Sequence, residues 1–312
     1  MTGNTGNTGN TGNTGNTGNT GNTGNTGNIG SDGWFIADRV DLPFVTRLNP
    51  GTINELGTLR RAQPANFGDR QWAANWYAWR VLHQFVAKFP APAVAPNVPS
   101  WAATVDADVG FTQIRNDLVG DYDGQINNLV LAARDERPDA MGLILSQDVE
   151  FFTDFCAVLT IRPGTHPKTF RLLHIASLIG SFAALYFKDE YDLPRPSQRC
   201  PALLPPIPVP GHSSWPSGHS TQAHLMKNLM LRVFAAAAMS VADQAVLTAD
   251  LTVLADEIAR NREIAGLHYP KDSEGGAKLA ELLDTQILTA ASLTLLNDAA
   301  TGAIALAKAE WS

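Results

Sequence analysis

The 312 residues suffice for one large domain or two of ordinary size, and a content of 44% apolar and 17% charged residues describes a folded chain with a sizeable core. A net charge of -7 excludes a general nucleic-acid coat, which needs a basic footprint to neutralise phosphates. Two cysteines, Cys156 and Cys200, are too few for a disulfide framework and lack the spacing of a zinc or redox motif; they read as structural, with one optional bridge.

Over residues 3–33 every third position is glycine, mostly as Gly-Asn-Thr. That is the spacing of a collagen triple helix, but without proline to pre-set the extended conformation it reads first as a flexible low-complexity tail. Residues 34–312 then read as one globular domain. In "RQWAANWYAWRVLHQFVAKF" the positions of Trp72, Trp76, Trp79 and Phe85 predict a helix whose aromatic stripe faces the core. Further helices are expected over 139–161 and 167–188, where Pro167 suits a first helical position. Residues 194–216 carry eight prolines and read as an irregular, extended loop. Helices resume near Ser217, over 241–264, and as a last pair from about Asp272. Strand-like alternation is scarce, so the expected fold is an all-α bundle in a single domain.

The longest apolar run, 172–187, is interrupted by His174 and falls short of the ~20 residues that span a bilayer. The start also lacks the charged and apolar regions of a secretory signal. The expectation is a cytoplasmic protein with no membrane span, which forms a homo-oligomer through apolar faces of the bundle.

The basic and histidine residues of the second half are ordered. Lys188 precedes Arg195-Pro196, Pro216-Ser217-Gly218-His219 follows the proline loop, and Arg262, His268 and Asp272 close the series. Such a set describes a site for a tetrahedral oxyanion. Arg195 and Arg262 can each fork onto two oxygens, Lys188 supplies a point charge, and the Gly218 amide lies at a helix N-terminus, where anions are favoured. One histidine could bond the central atom and the other move a proton at neutral pH.

With these residues quoted as "KDEYDLPRP", "PSGH" and "REIAGLHYPKD", the chain resembles the superfamily of type 2 phosphatidic-acid phosphatases and vanadium haloperoxidases over residues 188–272. The family commonly has serine before the third-motif arginine; Asn261 stands there in this chain and retains a hydrogen-bond donor. The resemblance implies that Lys188, Arg195, Ser217, Gly218 and Arg262 hold the equatorial oxygens of a bound vanadate. His268 would be the axial ligand of vanadium, His219 the acid-base group, and Asp272 the carboxylate that orients His268. His212, seven residues before His219, resembles the second histidine that vanadium bromoperoxidases use in halide handling.

Two activities share such a pocket. A vanadium haloperoxidase uses vanadate and hydrogen peroxide to oxidise halide, here bromide, to a hypohalous species that halogenates a small organic acceptor. A soluble phosphatase hydrolyses phosphate monoesters through a phosphohistidine. The missing lipid-phosphatase membrane helices and the second histidine favour the first. A third class, a noncatalytic collagen-like interaction protein, rests on the repeat alone and leaves every charged motif position unexplained. "GDYDGQ", at 120–125, lacks the later ligands of a calcium loop and reads as a solvated turn. His219 and His224 are not spaced for zinc on one helix face. No role is assigned to His83, His166 or His174.

Overall fold

The structure is a computed structural model that describes residues 72–312 apart from Ala238. The glycine repeat and the expected domain start at residue 34 lie outside the described residues. Among the described residues the chain is helical and has no strand, as the scarce alternation predicts.

The central element is α7, Pro167–Tyr191, with α1, Ala74–Lys88, packed on one side and α9, Gly218–Ala236, on another. Helices α10, Val241–Ile264, and α11, Pro270–Leu282, pack in turn on α9. Pro167 opens α7 at its first turn, where its missing N–H costs no bond, and Asp192 closes it in the left-handed conformation at φ 45°. Ser217 and Ser240 cap α9 and α10 by accepting from Ser220 N and Asp243 N, contacts of a kind that stabilise by about 1 kcal/mol each.

Several expected elements take a different form. On α1 the buried face is Tyr77, Ala78, Val81, Leu82 and Phe85, while Trp76 and Trp79 are 55% and 52% exposed. At 100° per residue Phe85 lies half a turn round the helix from Trp76, so the four aromatic positions never formed one stripe. The helix expected over 139–161 is two: α5, Arg137–Val149, and α6, Phe152–Val158. Between them Glu150 is extended, at φ -170° and ψ 158°, and its carboxylate accepts from Thr153 N, which caps a fresh helix start. The proline segment contains a short helix, α8, Pro196–Arg199, and a 3-10 turn, Pro201–Leu203, between extended stretches. The last pair begins at Pro270 and continues through a π-helical turn, Leu283–Ile287, to two short helices, Thr294–Asn297 and Ala303–Lys308.

The stretch Pro167–Arg199 is apolar and long enough to cross a membrane by composition, contrary to the length argument from the sequence, and 83% of its apolar window is buried inside the fold. Cys156 and Cys200 are unbridged, and burial pushes the Cys156 thiol up to about 11.

Candidate oxyanion site

Three segments distant in sequence meet where α7 ends, α9 begins and α10 turns into α11. Lys188 sits in the last turn of α7 with its Nζ donating to the carbonyls of Ser213 and Ser214, at 3.0 and 2.6 Å. Ser213 returns the bond from its hydroxyl to the Lys188 carbonyl. Arg195 donates Nε to the His212 carbonyl at 2.8 Å and Nη1 to the Leu267 carbonyl at 2.9 Å. The end of the proline segment is thus tied to α7 by Lys188 and to its own start by Arg195, and the same arginine reaches the turn before His268.

The turn from α10 to His268 depends on Gly266, which adopts φ 78°. Its N–H donates to the Glu263 carbonyl at 2.7 Å, and Leu267 N to the Arg262 carbonyl at 3.0 Å, the paired bonds that close a helix through a left-handed residue. Arg262 in the last turn of α10 and His268 just beyond it are therefore fixed relative to each other. The corner at Pro216-Ser217 is held from α11: Ser217 N donates to the Asp272 carbonyl at 2.9 Å, and a Cβ on Gly276 would stand 2.7 Å from the Ser217 carbonyl oxygen. A side chain on Gly275 would overlap the buried ring of Trp215. The glycine pair is what lets α11 lie directly under the start of α9.

His268 is buried, and its Nδ1 donates to Asp272 Oδ2 at 3.0 Å. That oxygen also accepts from Tyr269 N at 3.0 Å and from the Ser214 hydroxyl. The bond to a carboxylate fixes the Nδ1–H tautomer and leaves the Nε2 lone pair on the other side of the ring, 3.5 Å from Arg195 Nη1. Burial, then the charges of Lys188 and Arg195, hold His268 well below the usual imidazole range. Burial pushes the Asp272 carboxyl up to about 6 against the opposing pull of Ser214, Lys188 and Tyr269.

His219 stands in the first turn of α9. Its Nε2 donates to the Gln147 carbonyl at 3.2 Å, and its ring packs on Phe151 at 5.4 Å. Burial and then Arg262 hold it well below its ordinary value, with Lys188 and Arg195 adding to the effect, so the two histidines and three cations lie in one electrostatic neighbourhood. Arg262 is fully buried; Nη2 donates to the Ile144 carbonyl at 2.8 Å, Nη1 lies 3.8 Å from Asp148, and Nε and Nη1 have no hydrogen-bond partner. Burial pushes Arg195 and Arg262 down to about 10 each, and pushes Lys188 well below its usual value, aided by Arg195 and opposed by Asp272.

Such a group of desolvated cations is held at a cost that a bound anion would offset. The fit is tested by the polar atoms left over. Arg262 offers two unpartnered donors, and His212 Nε2 is buried without a partner. Arg195 departs from the expected free fork: its donors all meet protein atoms, two of them at the long distances of 3.3 and 3.5 Å, which an anion could displace. His212 lies beside Arg195, with Nδ1 3.1 Å from Arg195 Nη2 and 2.9 Å from the Ser213 carbonyl oxygen, and burial pushes it down to about 3. Ser217 and Gly218 place the N-terminus of α9 at the same corner, where its first N–H groups have no intrahelical acceptor.

The structure adds Ile144, Gln147, Asp148 and Ser214 to the site. Ser214 lies in the proline segment two residues before Pro216, and the Gly275-Gly276 pair inside a helix is a readable sign of close packing. Nothing in the sequence marks Ile144 and Gln147, which act through backbone carbonyls. Elsewhere, Asp121 of "GDYDGQ" caps α4, Tyr122–Asp135, and no cluster of three metal-ligating side chains is present among the described residues. His224 donates or accepts between Ser220 and Asp256, and His166 packs on Trp311, both away from the pocket. Compared with known proteins, the chain matches no family model and no curated protein.

Proposed function

We propose that the chain is a vanadium-dependent haloperoxidase that oxidises halide, bromide by preference, and releases a hypohalous species to small organic acceptors. The observation that carries this reading is the set of three buried cations, Lys188, Arg195 and Arg262, together with a buried His268 whose Nδ1 is bonded to Asp272, so that its Nε2 carries the lone pair. When bound, vanadate supplies the centre at which hydrogen peroxide oxidises halide. Arg262, Lys188 and the start of α9 would hold its oxygens, and His268 Nε2 would bond the vanadium. His219, protonated on Nε2 by its bond to Gln147, keeps Nδ1 to take up and return a proton. His212, pinned to Arg195, would bring its unpartnered Nε2 to the halide. The reading keeps the enzyme out of the bilayer, in the cytoplasm, and self-associating, with the apolar window of α7 used as core and Trp76 and Trp79 exposed.

The test is bromination of an activated phenol by the vanadate-treated protein with hydrogen peroxide and bromide, beside hydrolysis of a phosphate monoester. Halogenation that inorganic phosphate suppresses is the expected result, because the same cations hold either tetrahedral anion. Background halogenation with brisk ester hydrolysis would replace this reading with that of a soluble phosphatase acting through His268.

A further inference from the structure

The helix break after Val149 has a use at the site. Gln147 belongs to the last turn of α5, so its carbonyl has no partner within the helix, and it receives His219 Nε2 at 3.2 Å instead. Had the helix run on through Phe151, that carbonyl would have been consumed by the ladder. The Gln147 side chain is itself buried and tied at both ends. Its Oε1 accepts from Asn261 Nδ2 at 3.0 Å, and its Nε2 donates to Asp154 Oδ2 at 3.1 Å. Asn261 is also buried and belongs to α10, one residue before Arg262; Asp154 belongs to α6.

From this strut, and resting on the reading of His219 as the acid-base group, we infer that Gln147 and Asn261 are positioning residues for His219. The Asn261–Gln147–Asp154 chain clamps the end of α5, and the clamped carbonyl fixes His219 in the Nε2–H tautomer, leaving Nδ1 as the nitrogen that exchanges protons. A carbonyl can only accept, so the tautomer follows from the contact. The side chain at position 261 thus acts through Gln147.

The clamp has a polarity that substitution can reverse. Asn261→Asp leaves the Gln147 amide between two carboxylates, so its oxygen faces one of them in either orientation. Asp154→Asn alone is tolerated, because the new amide turns its oxygen to Gln147. Both together restore a satisfied chain with the Gln147 amide turned over. The measurement is nitrogen-15 NMR of the full chain labelled at histidine, with His219 identified by its loss in His219→Gln, alongside turnover and calorimetric binding of inorganic phosphate. The expected result is a single Nε2–H tautomer in the parent protein and in Asp154→Asn. In Asn261→Asp a mixture of tautomers appears and turnover falls about tenfold or more, a typical share of acid-base catalysis, while phosphate affinity is kept. The double variant recovers both the tautomer and the turnover. An unchanged tautomer in Asn261→Asp, or a double variant as impaired as the single one, would overturn the inference. Should Asn261→Asp fail to fold, Gln147→Met keeps the carbonyl, removes the amide and must show the same tautomer mixture. The tautomer is read without any substrate, so a protein inactive in both assays would sink the functional reading and leave this one decided on its own.

Discussion

His268 and His219 are both buried imidazoles in one field of cations, yet their hydrogen bonds leave opposite nitrogens free. Asp272 takes the Nδ1 proton of His268, whereas the Gln147 carbonyl takes the Nε2 proton of His219. Different consequences follow from removing each. His268→Ala should abolish vanadate retention, and Asp272→Asn, which keeps the size but loses the carboxylate, should weaken it about 10–100-fold. His219→Ala should retain vanadate and slow turnover by ~10²–10⁴-fold. Equilibrium dialysis of vanadate beside steady-state kinetics separates the cases, and equal loss of vanadate from His268→Ala and His219→Ala would contradict the division. At this scale the charged motif positions were legible because their side chains are chemically distinctive. Gln147 was not, since any residue carries the carbonyl it uses.

Helix α11 meets the corner before α9 at a distance that only glycine allows. Gly276→Ala would set a methyl 2.7 Å from the Ser217 carbonyl oxygen, a buried backbone atom, and 2.8 Å from Ser220 Cβ, which is fixed to the backbone of α9, so neither can swing aside. The expected cost is about 1–3 kcal/mol of stability, as for other overpacked sites, with phosphate affinity falling as Ser217 and Gly218 shift. Urea unfolding and calorimetric phosphate binding would check it, and a variant with parental values in both would show that α11 has slack. The same scale explains where periodicity failed. On α1 the pattern showed a helix, but the face was chosen by what α7 offers, and Tyr77, Val81 and Phe85 went inward instead of the larger tryptophans. Between α5 and α6 the apolar spacing continues across Glu150, so nothing in it marks the break that the Glu150–Thr153 cap permits.

At the scale of the whole molecule, one core group outside the site that burial burdens is His174, in α7. It is fully buried between Phe152 and Phe170, at ring distances of 4.5 and 4.6 Å, and neither ring nitrogen has a hydrogen-bond partner. Burial pushes it down to about 3 from an ordinary 6.5. The unfolded chain therefore binds a proton at this position near pH 6.5, and the folded chain only near pH 3. Stability is full above pH 6.5 and is lost as pH falls through that window, by up to about 5 kcal/mol. His174→Leu should be as stable as the parent at pH 7.5 or more so, and its urea midpoint should fall less between pH 6.5 and 4. Parallel pH dependence in the two proteins would show that His174 is not the group that titrates.

Taken alone, the amino-acid order determined that the described chain is helical, placed both ends of α10 and the starts of α7 and α9, and singled out Lys188, Arg195, Ser217, Gly218, His219, Arg262, His268 and Asp272. Prolines, capping serines, apolar runs and charged side chains are local signals, and each acts within a turn or two of where it is written. Only the tertiary structure decided which face of α1 is core, that Arg195 spends its donors on backbone carbonyls, and that Gln147, more than a hundred residues from Asn261, bonds to it. Those outcomes depend on which surface arrives opposite, and on backbone atoms that are the same in every residue.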